Sequence, residues 1–275
     1  MGAPKKLYFN WKDSEKKEWE FVCSISKRQI QEAKKKIGIY DKRKMDFLVK
    51  KLSAYSRKIA RKYPDIGIEI VRSNKLDIIN EGVSPEEAEA VLNEIIDYIP
   101  KIKLEYYLKK KYLVAIGDHY YVNYQRVVNL YYRNFKNIAR KFFEAIGRPE
   151  DSYILLDRTL SFCQSLPYSV RSLLDRDKEA PWEFPSPWEV LYYGKGDDQA
   201  KAVLFACLWK NLAPDINFLF VIYDEAVTVA VENIWKIPGD VFISKRKRYV
   251  ILDTLVGGHK PDINLFMFSS RRAII

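Results

Sequence analysis

The stretch of this sequence whose residues are best placed for chemistry is "YYGKGDDQAKAVLFACLWKNL", residues 192–212. Two glycines mark a loop, and an apolar segment of helical length follows it. Such a loop often presents a catalytic side chain at the start of the helix, where Asp197 and Asp198 stand. Two adjacent carboxylates suggest acid/base hydrolysis. A structural role competes with this interpretation, because aspartate is also among the best residues for capping a helix N-terminus.

Thiols and imidazoles, the commonest nucleophiles and bases, are scarce in this chain. The three cysteines (Cys23, Cys163 and Cys207) lack the spacing of a metal site, and the apolar surroundings of the last two predict buried side chains. We expect His259, in "GGHKPD", on a surface loop, and His119 either exposed or in a satisfied polar contact. Catalysis by a thiol therefore has little support.

The first half of the chain has the pattern of a hairpin followed by helices. Residues 7–25 contain two aromatic-rich runs about a charged turn, which is typical of a β-hairpin. From residue 26 to 63, Lys and Arg interleave with apolar residues at helical spacing and predict one or two amphipathic helices. A capping box at Ser84 opens another helix, which we expect Pro100 to end. Residues 101–145 show a further helical pattern with one break.

The second half changes from a helical to an extended pattern. Residues 150–166 and 198–212 are predicted to be helices, with Asp197 or Asp198 as the cap of the second. Four runs rich in β-branched and aromatic residues follow and predict strands: "INFLFVIY", "AVTVAVENIW", "DVFI" and "RYVIL". Helices followed by strands predict an α+β fold, in which an antiparallel sheet packs on the 198–212 helix.

Four segments of the second half resemble the transglutaminase-like superfamily, whose fold is related to that of papain. In chain order they are "LSFCQSLPYS", "PWEVLYYGKGDD", "AVTVAV" and "RYVILDTL". The first is similar to the end of the family's helix before a proline-tyrosine step, and the second to its Gly-x-Gly-Asp-Cys loop. The third is similar to the family's strand that begins with the catalytic histidine, and the fourth to its strand that ends at an acidic residue. The resemblance covers residues 118–265. It implies a papain-like core in residues 118–275, preceded in residues 1–117 by a hairpin and a mainly helical, basic extension.

The resemblance also implies where a catalytic triad would lie. In such a triad a thiolate at a helix N-terminus is the nucleophile, a histidine transfers the proton and a carboxylate orients the imidazole ring. The cysteine position falls on Asp198 and the acidic position on Asp253. The histidine position falls on Ala226, or on Glu225 if the register shifts by one residue. With two of the three groups missing, the resemblance implies a catalytically inactive member of the superfamily.

A cleft beside the helix start is a further implication. Gln164 lies near the position from which the related fold supplies an oxyanion donor, and Asp197 borders the former nucleophile position. Tyr168, Trp188 and Tyr193 flank the loop, where the aromatic side chains of an active relative would wall a substrate groove. Packing of the loop over the core accounts for Trp188 equally well. A groove retained without the chemistry would bind an extended peptide or a glycan.

The acidic residues at the mapped positions suggest an alternative, a site for a hard cation. Asp198, Glu225 and Asp253 supply carboxylate oxygens, the ligands that Ca²⁺ and Mg²⁺ prefer. Helix capping at residues 197–198 and a turn at residues 224–225 account for the same carboxylates without a metal. We therefore expect neither a metal nor another cofactor.

The chain is basic, with 47 Lys and Arg, 36 Asp and Glu, and a formal net charge of +11. Such an excess favours an acidic partner, such as nucleic acid, an anionic membrane surface or an acidic protein. Because the basic residues recur along the chain, solvated helix faces are the simpler interpretation. No apolar run is long enough for an integral membrane segment, and we expect the first residues, "MGAPKKLYFNW", not to be a signal peptide because no apolar segment follows the two lysines. We expect a cytoplasmic location, or a secreted or envelope location if an export signal has been trimmed.

These features favour a pseudoenzyme over an enzyme. It would be a binding, scaffold or structural protein that contacts a protein or peptide partner through its vestigial cleft and its basic helical extension. The first alternative is an active amide-bond hydrolase or acyltransferase, of the peptidase or transglutaminase type, with an atypical acidic site. The second alternative is binding of a polyanion or nucleic acid through the lysine-rich helices.

Overall fold

The computed structural model describes residues 3–36, 42–63, 66–71, 75–80, 84–116, 118–169, 186–222, 226–255 and 273–274. The helices in these ranges are α1 (Lys27–Lys36), α2 (Lys42–Lys62), α3 (Pro85–Lys109), α4 (Tyr124–Ala145), α5 (Ser152–Ser165), α6 (Pro187–Tyr193) and α7 (Asp198–Leu212). None of these helices is both long and apolar enough to cross a membrane.

The strands within the same ranges form one larger sheet and three hairpins. They are β1 (Lys5–Lys12), β2 (Glu18–Ile25), β3 (Ile66–Val71), β4 (Lys75–Asn80), β5 (Leu113–Ile116), β6 (His119–Val122), β7 (Phe218–Ile222), β8 (Val227–Glu232), β9 (Val241–Ser244), β10 (Lys247–Leu252) and β11 (Ala273–Ile274). All these strands pair antiparallel, so the predicted α+β class is confirmed.

The larger sheet has the strand order β11-β7-β8-β10-β9. Its central strand β8 pairs with β7 and β10, so that Val229 stands opposite Phe220 on one side and Leu252 on the other. The β-branched and aromatic runs become the four predicted strands because they can fill a buried, pleated surface. Helix α7 packs against β8, which confirms the predicted contact between the 198–212 helix and an antiparallel sheet.

Helix α7 lies at the centre of the molecule. Every side chain from Ala200 to Trp209 is buried, because this helix is apolar on all its faces and must be covered on all of them. Helices α4, α5 and α6 and strand β8 contact it. A helix enclosed in this way fixes the position of its own N-terminus relative to the sheet.

The N-terminal hairpin is part of the same core. Strands β1 and β2 pair in the register that places Trp11 opposite Trp19, which confirms the predicted hairpin. The inward rings of Phe9 and Trp11 contact Phe162 of α5, at centroid distances of 5.6 and 4.9 Å. One hydrophobic cluster therefore extends from the hairpin to the sheet. The domain boundary at residues 117 and 118 stays a prediction.

Helix α3 corrects one expectation. Its capping box is present, because the Ser84 hydroxyl accepts the Glu87 N–H and the Glu87 carboxylate accepts the Ser84 N–H. Pro100, however, does not end the helix, which continues to Lys109. Proline removes one helical hydrogen bond. The turns on either side of it are held by buried side chains, among them Val91, Ile95, Ile102 and Tyr106.

The predicted helical pattern over residues 101–145 is also interrupted more strongly than expected. The paired strands β5 (Leu113–Ile116) and β6 (His119–Val122) lie between α3 and α4. Asn123 caps α4, since its side chain accepts the Arg126 N–H at 2.9 Å. The break in the pattern is therefore two short strands and a new helix start.

Phe162→Ala tests whether the hairpin is packed as described. The Phe162 ring is fully buried and contacts Phe9, Trp11 and Phe142. We expect its removal to lower the free energy of unfolding by about 3–5 kcal/mol, measured by urea denaturation. Tyr8→Ala, at an exposed position of β1, is the control and should change it by less than about 0.5 kcal/mol. Equal effects of the two variants would contradict docking of the hairpin on α5.

Candidate functional site

The two aspartates at the start of α7 have different roles. Asp197 is the N-cap, and its Oδ1 accepts the Ala200 N–H at 2.8 Å. Asp198 is the first residue of the helix and is 8% exposed. The capping role is thus filled by Asp197, and the Asp198 carboxylate is directed into the protein.

Asp198 joins the start of α7 to the start of β8. Its Oδ2 accepts the Val227 N–H at 2.6 Å in a buried hydrogen bond. Val227 directly follows Ala226, which is half-buried. The mapped cysteine and histidine positions therefore lie side by side. Glu225, the other mapped histidine position, lies outside the described residues.

Asp253 reaches the same end of the sheet. It directly follows Leu252, which pairs with Val229, and the Thr228 hydroxyl donates a hydrogen bond to the Leu252 carbonyl. The Gln164 amide, at the end of α5, donates to the Asp253 carbonyl oxygen at 2.6 Å. The ends of α5 and β10 and the starts of α7 and β8 therefore meet at one place.

The electrostatic surroundings at the start of α7 disfavour ionisation of the Asp198 carboxyl. Burial raises the pKa of the Asp198 carboxyl, the Val227 N–H lowers it, and the charge of Asp197 raises it again, so that the net direction is upward. Burial also raises the pKa of Tyr124, and Asp198 and Asp197 add to that effect. Tyr124, the first residue of α4, is therefore part of the surroundings of the two aspartates, although its sequence context did not indicate this.

A buried lysine lies one helical turn beyond Asp198. Lys201 has an exposed fraction of 0%, and its Nζ has no hydrogen-bond partner among the described residues. Burial lowers the pKa of this amine, and the nearby Cys163 and Asp253 raise it to a smaller extent. The sequence reasoning missed Lys201. The available signal was its place in a helix that is apolar on every face.

No cysteine of the chain is prepared to act as a nucleophile. All three cysteines are buried and free. Burial raises the pKa of Cys23 and of Cys163 to about 12, and it raises the pKa of Cys207 as well. Since the thiolate is the reactive form, these side chains are unreactive at neutral pH. The predicted burial of Cys163 and Cys207 is confirmed.

Two exposed tyrosines flank the loop that leads to the aspartates, and Tyr168 lies near their charges. Tyr168 and Tyr193 are 56% and 60% exposed. Tyr168 forms an isolated parallel bridge with Gly196, in which Gly196 accepts the Ser169 N–H and donates to the Pro167 carbonyl. This bridge holds the loop that leads into Asp197. Burial, followed by the charges of the two aspartates, raises the pKa of Tyr168, so its hydroxyl lies within their electrostatic influence.

Two residues that we expected to line the cleft belong to the interior. The Trp188 ring is buried and packs edge-on against Tyr131 and Phe135, because α6 turns this face toward α4. The Gln164 side chain is buried too, and its amide donates to the Asp253 carbonyl rather than facing an open groove.

The described residues give little support to the suggested cation site. Among the described residues, no group of three or more His, Cys, Asp or Glu side chains is placed to hold one. Asp198 accepts a backbone N–H, and Asp253 Oδ1 accepts the Leu255 N–H at 2.7 Å. Glu225, the third member of the suggested cation site, lies outside the described residues.

The chain matches no protein-family model, no curated protein and no solved structure. Its function is therefore inferred from the side chains around Asp198 and from the surfaces beside them.

Asp198→Asn and Asp198→Ala separate the hydrogen bond from the charge. Alanine leaves the buried Val227 N–H without an acceptor, so we expect it to lower the free energy of unfolding by about 1–3 kcal/mol, whereas asparagine keeps an acceptor oxygen. The folded pKa of Asp198 lies above its unfolded value, so the folded state binds its proton more tightly. The wild type should therefore lose stability relative to Asp198→Asn as the pH rises from about 4 through the folded pKa.

Urea denaturation between about pH 4 and pH 8 measures this difference. Asp151→Asn is the matched control, because it removes the charge of an exposed N-cap carboxylate on α5 and keeps a capping side chain. A stability profile of Asp198→Asn that runs parallel to the wild-type profile at every pH would contradict the raised pKa.

Proposed function

We propose that this protein is a catalytically inactive transglutaminase-like domain that binds an extended segment of a protein partner. The hydrogen bond between Asp198 and the Val227 N–H carries the proposal. A carboxylate occupies the helix start where the superfamily has its nucleophilic cysteine. It is bound to the strand start at which Ala226 occupies the position of the catalytic histidine.

The topology supports the papain-like core of this proposal. The resemblance implies a triad at a helix N-terminus that packs against an antiparallel sheet, with the second and third groups on neighbouring strands. Here α7 packs against β8, and β8 pairs with β10, whose end leads into Asp253. The four segments that carry the resemblance adjoin one another at this end of the sheet, which supports the proposed mapping.

The chemistry of the site supports loss of catalysis. A carboxylate is a much weaker acyl nucleophile than a thiolate, and that of Asp198 already accepts a backbone hydrogen bond. Every cysteine is buried with a raised pKa. Of the two histidines, His119 is exposed on β6, which belongs to a different sheet from β8, and His259 lies outside the described residues.

The surface beside the site supports binding of a partner segment. Tyr168 and Tyr193 present large, rigid side chains with a polar end, which provide contact area at little cost in conformational entropy. The exposed Lys195 follows Tyr193 by two residues, on the loop that the Tyr168–Gly196 bridge holds. A preformed surface of this kind suits an extended peptide.

A Cys–His pair introduced at positions 198 and 226 tests the mapped catalytic positions, and assays of the wild type test its proposed lack of catalysis. The wild type should turn over neither peptide amides nor glutamine donors with amine acceptors. In Asp198→Cys combined with Ala226→His, the introduced thiol lies at a helix N-terminus beside an imidazole, which lowers its pKa. Iodoacetamide should then alkylate it at about pH 6 at least about tenfold faster than the thiol of Asp198→Cys alone.

Either of two results would count against the proposal. Equal alkylation rates in the two variants would contradict the position of the mapped histidine. Wild-type turnover that disappears in Asp198→Ala would show that the domain is an enzyme. The native cysteines do not disturb the readout, because all three are buried.

Selection from a displayed library of random peptides tests the binding function. Peptides enriched on the wild type should bind Tyr168→Ala/Tyr193→Ala at least about tenfold more weakly, as loss of aromatic anchors would cause. Tyr8→Ala/Tyr153→Ala removes two exposed tyrosines elsewhere and should leave the affinity within about twofold. Peptides that bind both double variants equally would contradict the assigned surface.

A further inference from the structure

The net positive charge of this protein comes almost entirely from two helices. Together α1 and α2 contain fourteen Lys and Arg and two acidic residues, Glu32 and Asp46. The remainder of the chain contains thirty-three basic and thirty-four acidic residues and is nearly neutral. The net charge excess is therefore local, although basic residues recur along the chain.

The basic side chains of α2 differ in what they contact. Lys51 forms an ion pair with Glu105 at 2.6 Å, and Lys62 forms one with Glu94 at 3.1 Å. Four further cations of this helix are exposed and take part in no ion pair among the described residues: Lys50, Arg57, Lys58 and Arg61. We call these four residues the cationic face.

The cationic face lies on one side of a helix whose other side is packed. At 3.6 residues per turn, Lys50, Arg57 and Arg61 fall within a sector of about 40°, and Lys58 lies about 80° from Lys50. The sequence from Lys50 to Arg61 rises about 16 Å along the helix axis. On the opposite side the buried Ile59 packs with side chains of α3, which fixes the orientation of α2.

We propose that the cationic face binds the phosphate backbone of double-stranded nucleic acid. A duplex carries one negative charge per about 1.7 Å of its axis, so about 16 Å of helix lies opposite about five base pairs. Four cations fixed on one side of a packed helix reach several phosphates at once, and each neutralised phosphate releases bound counterions. The surface is independent of Asp198 and of the proposed peptide function.

The surroundings of the face favour a duplex over other polyanions. Single strands are bound by aromatic rings that stack on the bases, but Tyr55 of α2 already stacks on Tyr98, with ring centroids 3.8 Å apart. Helices that lie in a membrane surface expose large apolar side chains beside their cations. Among the described side chains of α2, Met45 alone is a large, exposed apolar residue.

Fluorescence anisotropy with labelled duplexes of about 20 base pairs, of DNA and of RNA, tests the proposal at salt concentrations from about 50 to 300 mM. For the wild type, log K should fall against log[salt] with a slope of about −3 to −4. The quadruple Gln variant of Lys50, Arg57, Lys58 and Arg61 should bind at least about tenfold more weakly at low salt, and its slope should be smaller in magnitude by about 3.

The matched control removes the same number of charges from exposed positions on other elements, with Gln at Lys136, Lys141, Lys245 and Arg246. It should keep the wild-type slope and an affinity within about twofold to threefold. Equal losses in the two quadruple variants, or no duplex binding by the wild type at about 50 mM salt, would overturn the proposal. So would α2-dependent binding to phosphatidylserine vesicles without binding to either duplex. Circular dichroism melting of each variant confirms that it is folded.

Discussion

The enclosure of α7 on all sides is the constraint on which the rest of the structure depends. A helix that is buried from Ala200 to Trp209 cannot rotate or slide without opening cavities in a close-packed core. Its first turn therefore has a fixed place at the end of the sheet, and the Val227 N–H finds an acceptor in Asp198. The same restraint carries the Lys201 amine into the interior, where no described residue accepts a hydrogen bond from it.

The elements that the sequence predicted correctly are those with a clear period. The first hairpin, the sheet strands and the helices over residues 152–165 and 198–212 follow from alternation, helical spacing and capping residues. Pro100 failed as a helix end because a local rule was outweighed by packing on both sides of it. The hairpin β5–β6 was not predicted, since strands of four residues are too short to show alternation.

The site was predictable in position but not in orientation. The glycine loop, the helix start at Asp198 and the strand end at Asp253 could be read from the sequence, and the structure brings their segments together. The inward direction of the Trp188 ring could not be predicted from the sequence, because it depends on which side of a seven-residue helix meets α4. The burial of Lys201 was implied by its apolar neighbours, yet the usual preference of lysine for water concealed it.

The uneven distribution of charge has a consequence for the cooperativity of folding. Ile59, Val91 and Ile95 form a small hydrophobic cluster, separate from the main core, beneath the part of α2 that bears the unpaired cations. Like charges along that helix repel one another across water, and little buried apolar area opposes them. We therefore expect this region to open at a lower free energy than the main core, and we expect added salt to stabilise its closed form by screening the repulsion. A bound polyanion would act in the same direction, so that binding and local order at α2 are thermodynamically linked.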